Sequence, residues 1–178
     1  FIDGATGLSN DEASASFYAE QVPMYFTGSW MGGSIVTDAE KPDNFAVAPI
    51  PVVNSKNASV TDFMGGGSDT LMVSANTKNK DLAAAAAFEI TRGVSKHAYL
   101  SGAGIPAWTV DYDASSVPAL TQQVADIAGK ATSYTLWFDT LMSSDDAGEY
   151  LTLLQSLFAG DLKPEEFAAS MDKQLSKK

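Results

Sequence analysis

Short apolar runs that end at glycine or proline alternate along this chain with longer stretches whose apolar residues recur at helical spacing. The runs occupy residues 22–26, 45–50 and 71–73, and the longer stretches occupy residues 11–21, 81–92, 118–128, 145–159 and 164–175. A short apolar run is typical of a buried strand, whereas recurrence every three to four residues indicates a helix facing a core. Strands that interleave with helices pack as layers, so we predict the α/β class.

Local signals mark where several of the helices begin and end. Ser9 and Glu12 have the spacing of a capping box, which predicts a helix start. Gly93 predicts the end of the helix over residues 81–92, and a second short helix is predicted over residues 95–100. Gly160 is expected to end the helix over residues 145–159.

Composition narrows the classes of protein that fit. The chain has 178 residues, of which 45% are hydrophobic and 19% charged, enough for one domain with a core. Cysteine is absent, so thiolate metal sites are excluded. The net charge is −11, so neither nucleic acid nor an anionic membrane is an expected partner. The first residue is Phe1, with no signal segment after it, and we interpret the chain as part of a longer protein.

Residues suited to catalysis are few. His97 is the single histidine. A Ser-His-Asp set would therefore have to include it, and a metal site with several histidine ligands cannot form. The glycines at 65–67 lack the lysine and spacing of a phosphate loop. The acidic pairs at 111 with 113 and at 145 with 146 are compatible with glycosidase chemistry, but are better explained as turn and helix-cap residues. We predict no enzymatic activity, no metal and no cofactor.

Three tryptophans lie in segments flanked by glycine or polar residues, namely Trp30, Trp108 and Trp137. Trp30 follows Ser29 at the end of an apolar run and precedes two glycines. Aromatic planes beside hydroxyl and carboxylate groups, such as that of Asp139, suit a pyranose ring, whose C–H face stacks while its hydroxyls form hydrogen bonds. The alternative is that these tryptophans are core residues.

The order of several weak motifs is more specific than any one of them. FYAEQVPMYFTGSW (17–30) is followed by VAPIPVV, by the glycine-rich GGGSDTLMVSANTKN, by an alanine-rich helix, by GAGIPAW, by LWFD and by a helix opened by Pro-Glu-Glu. This order resembles the extracellular solute-binding proteins of sugar ABC importers, the family that includes maltose-binding protein. The first segment is similar to the pattern F-x-x-G-x-A-A-M-x-x-x-G-S-W, with departures at Glu20, Val22 and Pro23.

The resemblance implies the C-terminal portion of a two-lobed periplasmic-binding-protein-like fold. Residues 1–64 and 114–178 are expected to form the C-terminal lobe, and residues 65–113 to cross to the other lobe. The implied function is binding of a carbohydrate, with an oligosaccharide favoured, in a cleft between the lobes, and delivery to the membrane permease subunits of an ABC importer. The implied location is extracytoplasmic, either periplasmic or lipid-anchored at the cell surface.

The resemblance also implies which residues contact the sugar. Trp30 and Trp137 are expected to stack on it, and Gly66 and Gly67 to bring the backbone close to it. Ser29, Trp108 and Asp139 complete the expected site. Because the other lobe would cover apolar surface, we also expect exposed apolar residues or self-association of this chain.

Two other classes of function remain open from the sequence. The same fold could bind a non-sugar solute such as a polyamine or a ferric ion, although no Tyr-Tyr pair suited to iron is present. The chain could instead belong to a carbohydrate-active enzyme or its accessory domain, or serve as a structural interaction domain.

Overall fold

A computed structural model describes residues 2, 4–67 and 69–176, and helices dominate it. The helices are α1 (Asn10–Tyr18), α2 (Met31–Asp38), α3 (Lys80–Ser101), α4 (Ala119–Ala128), α5 (Ser144–Ala159) and α6 (Pro164–Leu175). Two strands, β1 (Asp62–Met64) and β2 (Ser133–Thr135), and 3₁₀ turns at Ala5–Gly7, Pro42–Asn44 and Phe138–Leu141 complete the elements. The α/β class is confirmed, with a small sheet.

The sheet joins segments that lie about 70 residues apart in the chain. β1 and β2 pair in parallel, with Asp62 opposite Ser133 and Met64 opposite Thr135. The backbone N–H of Thr132 donates to the carbonyl of Thr61 at 2.9 Å just before the pair. Parallel pairing requires a long crossover, which α3 and α4 supply.

The core lies between α2 and α4. Met31, Ile35 and Ala39 of α2 and its end are buried against Leu120 of α4, and Phe17, Tyr18, Tyr25, Phe45 and Val47 pack around them. Helix α2 begins directly after Trp30, and Pro118 precedes α4 as its N-cap. The core therefore rests on two short amphipathic helices.

The last two helices form a second packed unit. The side-chain amide of Gln174 in α6 donates to the carbonyl oxygen and Oδ1 of Asp146 in α5, at 3.2 and 3.1 Å. Gly160 ends α5 in the left-handed region, at a φ of 85°, as its position in the sequence predicted. The capping box of Ser9 and Glu12 at α1 is also confirmed.

Helix α3 is longer than the sequence indicated. It runs without interruption from Lys80 to Ser101, so the prediction that Gly93 ends it and that a second helix follows is wrong. An added Cβ at Gly93 would meet no atom within 4 Å. Glycine lowers helix stability by about 1 kcal/mol relative to alanine, and the other residues of this 22-residue helix offset that cost. The helix ends instead at Gly102, at a φ of 78°.

Three predicted strands are not strands in the structure. Residues 22–26, 45–50 and 71–73 run without a strand partner within the described residues, so the strand predictions there are wrong. In the first run Tyr25 packs on the core but Met24 is 84% exposed, and in the third run Met72 is 85% exposed. Phe45 and Val47 do pack on the core, and the N–H of Val47 donates only to the Gln123 side chain, at 3.4 Å. A strand requires a neighbouring backbone to bond, which an apolar run cannot itself provide.

Many large apolar side chains are exposed, as the sequence led us to expect. Val53, Leu82 and Val94 are 100%, 70% and 61% exposed. Where such side chains form a contiguous patch, the patch marks a surface that packs against another protein surface. Within the described residues, no helix combines the length and apolarity needed to cross a membrane.

The Asp62 carboxylate stabilises the start of the strand pair, and this predicts a pH-dependent effect. It accepts the Ser133 hydroxyl at 2.7 Å and the Ser59 N–H at 2.6 Å, and these bonds, the Ser133 hydroxyl first, lower the pKa of Asp62. A lowered pKa stabilises the fold above the unfolded pKa of about 3.9, and this stabilisation is lost as pH falls through the folded pKa.

We therefore expect Asp62→Asn to be less stable than the wild type at pH 7, with the difference shrinking below about pH 4. Urea unfolding of both proteins at several pH values measures this. A difference that stays constant with pH would contradict the role of the carboxylate.

Candidate ligand-binding groove

The carboxyl ends of the two parallel strands bring distant segments together. β1 leads directly into Gly65, and β2 leads into Leu136 and Trp137. The N–H of Gly65 donates to the carbonyl of Thr135 at 2.9 Å, which fixes the two exits side by side. In α/β proteins, ligands bind beyond this edge of a parallel sheet.

Two glycines allow the segment after β1 to pass close to the segment after β2. Gly65 and Gly66 have φ values of 121° and 153°, which side-chain-bearing residues rarely adopt. An added Cβ at Gly65 would lie 3.2 Å from Cζ2 of Trp137, and one at Gly66 would lie 2.9 Å from Cδ2 of Leu136. An added Cβ at Gly67 would meet no atom within 4 Å. The indole of Trp137 thus packs against the backbone of the glycine segment.

A groove of about 450 Å³ opens at this edge of the sheet. Met64 and the strand exit over residues 135–139 form one side, and Tyr150, Leu151 and Leu154 of α5 form the other. We call this the strand-end groove. Its size falls within the range of small-molecule sites, and its lining is largely apolar, as in most such sites.

Aromatic rings and a short turn hold the groove in shape. The Phe138 and Tyr150 rings meet edge to face with centroids 6.4 Å apart, and Tyr150 contacts Phe167 of α6 at 6.2 Å. In the 3₁₀ turn, the Thr140 hydroxyl donates to the carbonyl of Trp137 at 2.6 Å. These contacts fix the turn that carries Asp139 at the rim of the groove.

The Asp139 carboxylate is the polar group best placed to bind a ligand there. Asp139 lines the groove and is exposed, while its backbone carbonyl accepts the N–H of Met142 at 3.2 Å. No hydrogen bond or ion pair within the described part of the chain uses its carboxylate oxygens. They are therefore available to ligand hydroxyls.

Trp30 and Ser29 lie in a different part of the structure. Trp30 is the N-cap residue of α2 and is 51% exposed, and its indole folds over Gly28, where an added Cβ would lie 2.2 Å from Cζ3. Ser29 is half-buried in the preceding turn. Neither residue lines the strand-end groove. The exposure of the Trp30 side chain argues against the alternative that it is a core residue.

Trp108 faces a separate pocket of about 280 Å³ beside α3. It is 38% exposed and meets Phe88 edge to face at 4.8 Å. The Arg92–Asp111 ion pair lines the same pocket, as does Tyr112, whose ring lies 4.9 Å from the Lys96 ammonium. Burial raises the pKa of the Tyr112 hydroxyl, and the nearby Tyr99 and Asp111 add to the effect. The structure thus divides the predicted site among three places.

Three of the four residues in the acidic pairs form structural contacts, which fits the turn and cap roles that the sequence suggested. Asp111 pairs with Arg92, and Asp113 accepts the N–H of Ser115 at 2.9 Å, which lowers its pKa. Asp146 accepts the Ser143 hydroxyl at 2.6 Å at the start of α5. His97 is exposed on α3. No group of acidic or histidine residues suited to a metal ion occurs among the residues that the structure describes.

The sequence reasoning missed the α5 wall of the groove. The sequence predicts a helix over residues 145–159 but does not single out Tyr150, Leu151 and Leu154, which line the groove. Their spacing does place them on one helix face, but the sequence does not reveal that this face lies opposite the strand exits. Gly65, whose backbone touches Trp137, was missed for the same reason.

Comparison with known proteins shows which family and which folds this chain is similar to. Residues 2–88 match the family described as bacterial extracellular solute-binding proteins. One solved structure, from work on xylan utilisation by the thermophilic bacterium Caldanaerobius polysaccharolyticus, is 32% identical with a TM-score of 0.89, covering 98% of this chain and 45% of that one. Among curated proteins, no match was found.

A second solved structure supports the fold. It is a chitin oligosaccharide binding protein, 22% identical with a TM-score of 0.76, and the match covers 96% of this chain and 43% of that one. The chain spans less than half the length of these similar structures. The resemblance predicted from the sequence is confirmed: this chain is similar to the bacterial extracellular solute-binding proteins. That family is extracytoplasmic and consists of binding proteins.

Proposed function

We propose that this chain forms part of a two-lobed protein that binds an oligosaccharide in a cleft and delivers it to the permease subunits of an ABC importer. The observation that carries the proposal is the strand-end groove, in which Trp137 packs on a glycine backbone beside the Asp139 carboxylate. An indole wall and a rim carboxylate are complementary to the apolar face and the hydroxyls of a pyranose. The similarity to sugar-binding proteins supports the same ligand class.

The tryptophans contribute in different ways to this proposal. Trp137 forms the wall of the groove, and Gly66 and Gly67 allow the ligand to approach the backbone beside it. Trp30 and Ser29 lie at the start of α2, and we propose that Trp30 presents its exposed indole to a further part of the sugar. Trp108 would contact ligand only from its own pocket beside α3.

The exposed apolar surface supports a two-lobed parent protein. We propose that residues 1–64 and 114–178 form one lobe and that residues 65–113 cross to the other. Within that crossing segment, α3 exposes Leu82 and Val94, at 70% and 61%. Residues 71–73 likewise have no strand partner in the described chain. Both features suit burial against a second lobe or, for this chain alone, against another copy. A lipid anchor at the cell surface is part of the same proposal.

We propose that no reaction accompanies binding. Of the acidic residues that could serve a glycosidase, Asp111 is in an ion pair, Asp113 accepts the N–H of Ser115, and Asp146 accepts a hydroxyl at the start of α5. The single carboxylate lining the groove lacks the second carboxylate that glycoside hydrolysis requires across the bond.

Calorimetric titration of the full-length protein tests the proposal. Xylotetraose and chitotetraose are the first probes, because the two similar structures come from work on xylan and on chitin oligosaccharides. We expect saturable binding of at least one neutral oligosaccharide and no change in its chain length afterwards. Binding of a polyamine or ferric ion instead of every sugar tried would contradict the proposal, as would hydrolysis products.

A further inference from the structure

The strand-end groove has an unusual distribution of charge. Of its nine lining residues, Asp139 alone is acidic and none is basic. The hydroxyls of Thr135 and Tyr150 and the indole N–H of Trp137 are the other polar side-chain groups, and none of them carries a charge. An electronegative groove of this kind can accept hydrogen bonds from hydroxyl groups but offers no cationic partner.

The elements that build the groove carry no cation either. Residues 131–162, which include β2, the 3₁₀ turn and α5, contain no Lys, Arg or His. The same is true of residues 57–77, which include β1 and the glycine segment. The acidic residues of the first stretch are Asp139, Asp145, Asp146, Glu149 and Asp161. The local charge is therefore negative along the strand exits and along the helix that faces them.

A saccharide carboxylate in such a groove would lose hydration without gaining an ion pair. Desolvation of an unpaired charge is costly, and the Asp139 carboxylate would repel it as well. A hydroxyl of an uncharged sugar instead donates a charge-assisted hydrogen bond to the same carboxylate. A group that binds one ligand and repels its competitor gives specificity by both routes.

We infer that this groove selects against acidic saccharides and that Asp139 is the residue responsible. The inference rests on the proposed function, and it narrows the ligand class to oligosaccharides without uronate or other acidic units. Asp139 thus has two roles: it accepts hydrogen bonds from the ligand and it determines specificity.

A matched pair of ligands isolates the charge. The neutral oligosaccharide that binds in calorimetry is converted to its alditol and to its aldonic acid, which share an open terminal unit and differ in one carboxylate. For the full-length protein in about 20 mM salt, where screening is weak, we expect the alditol to bind at least tenfold more tightly. In Asp139→Asn we expect the ratio to fall to about threefold or less.

Asp161→Asn is the control, because it changes the net charge equally at an exposed position outside the groove lining. It should leave the ratio of the two affinities unchanged. The inference would be overturned if the wild type bound the alditol and the aldonic acid equally, whether both bind or neither does. It would also be overturned if the ratio of the two affinities were unchanged in Asp139→Asn. In either case the neutral parent sugar still binds, so the proposed function stands. Failure of every sugar to bind refutes the proposed function itself.

Discussion

Trp137→Ala is expected to weaken oligosaccharide binding by about 2 kcal/mol or more, which is about 30-fold in Kd. Stacking removes apolar area of both the indole and the sugar from water, and alanine cannot replace that contact. Trp137 lines the groove and is half-buried against Gly65, so the truncation removes part of a ligand surface more than part of the core. Calorimetry and thermal unfolding of the same full-length variant measure both effects.

The melting temperature separates this expectation from a structural role. Truncation of a core tryptophan costs about 3–5 kcal/mol of stability, whereas we expect a small change for Trp137→Ala. Tyr134→Ala is the matched control, because Tyr134 is a neighbouring aromatic residue that is 53% exposed and lies outside the groove lining. Unchanged sugar affinity in Trp137→Ala, or a collapsed melt, would show that Trp137 is structural. The same pair of measurements on Trp30→Ala tests whether the second indole also stacks.

Gly33→Ala is expected to lower the free energy of unfolding by about 3 kcal/mol. Gly33 lies where α2 passes the end of α3, and its N–H donates to the carbonyl of Gly102 at 2.9 Å. An added Cβ would lie 2.2 Å from the carbonyl oxygen of Ser101. Because that neighbour is backbone, relief requires the two helices to separate. Urea unfolding of the full-length protein measures the loss.

Gly93→Ala is the control for the glycine substitution. Gly93 lies in the middle of α3, and an added Cβ there would meet no atom within 4 Å. The change should therefore raise the free energy of unfolding by about 1 kcal/mol through helix propensity alone. A loss below 0.5 kcal/mol in Gly33→Ala would mean that α2 and α3 are not held as closely as the geometry indicates. A large loss in Gly93→Ala would mean that α3 packs more tightly around that position than its open surroundings indicate.

The local helix signals were predictable because each is settled within a few residues. The capping box of Ser9 and Glu12, the left-handed Gly160 and the start of α6 at Pro164 all form where the sequence placed them. A side chain that caps its own helix needs no distant partner. Gly93 is the exception, since the helix-forming residues on both sides outweigh the cost of one glycine.

The candidate site was predictable only in part. The tryptophans and Asp139 were selected by residue type and by flanking residues, without knowledge of their neighbours. The structure brings Trp137 and Asp139 together in one groove, with Gly66 next to Leu136 at its edge, but leaves Trp30 and Trp108 in other places. The α5 residues opposite Trp137 were not identified, because no local pattern reveals which helix face lies across from a strand end.

By itself, the sequence determined the α/β class, the positions of most helix ends and the resemblance to solute-binding proteins, all of which depend on short-range patterns and their order. The tertiary structure decided which apolar runs become strands. Residues 22–26, 45–50 and 71–73 are apolar enough, yet among the described residues only Asp62–Met64 and Ser133–Thr135 pair as strands. That pairing also decided the groove, because it places Gly65 against Trp137 across about 70 residues of chain. Strand pairing is a contact between distant segments, so its outcome is fixed by packing and not by local composition.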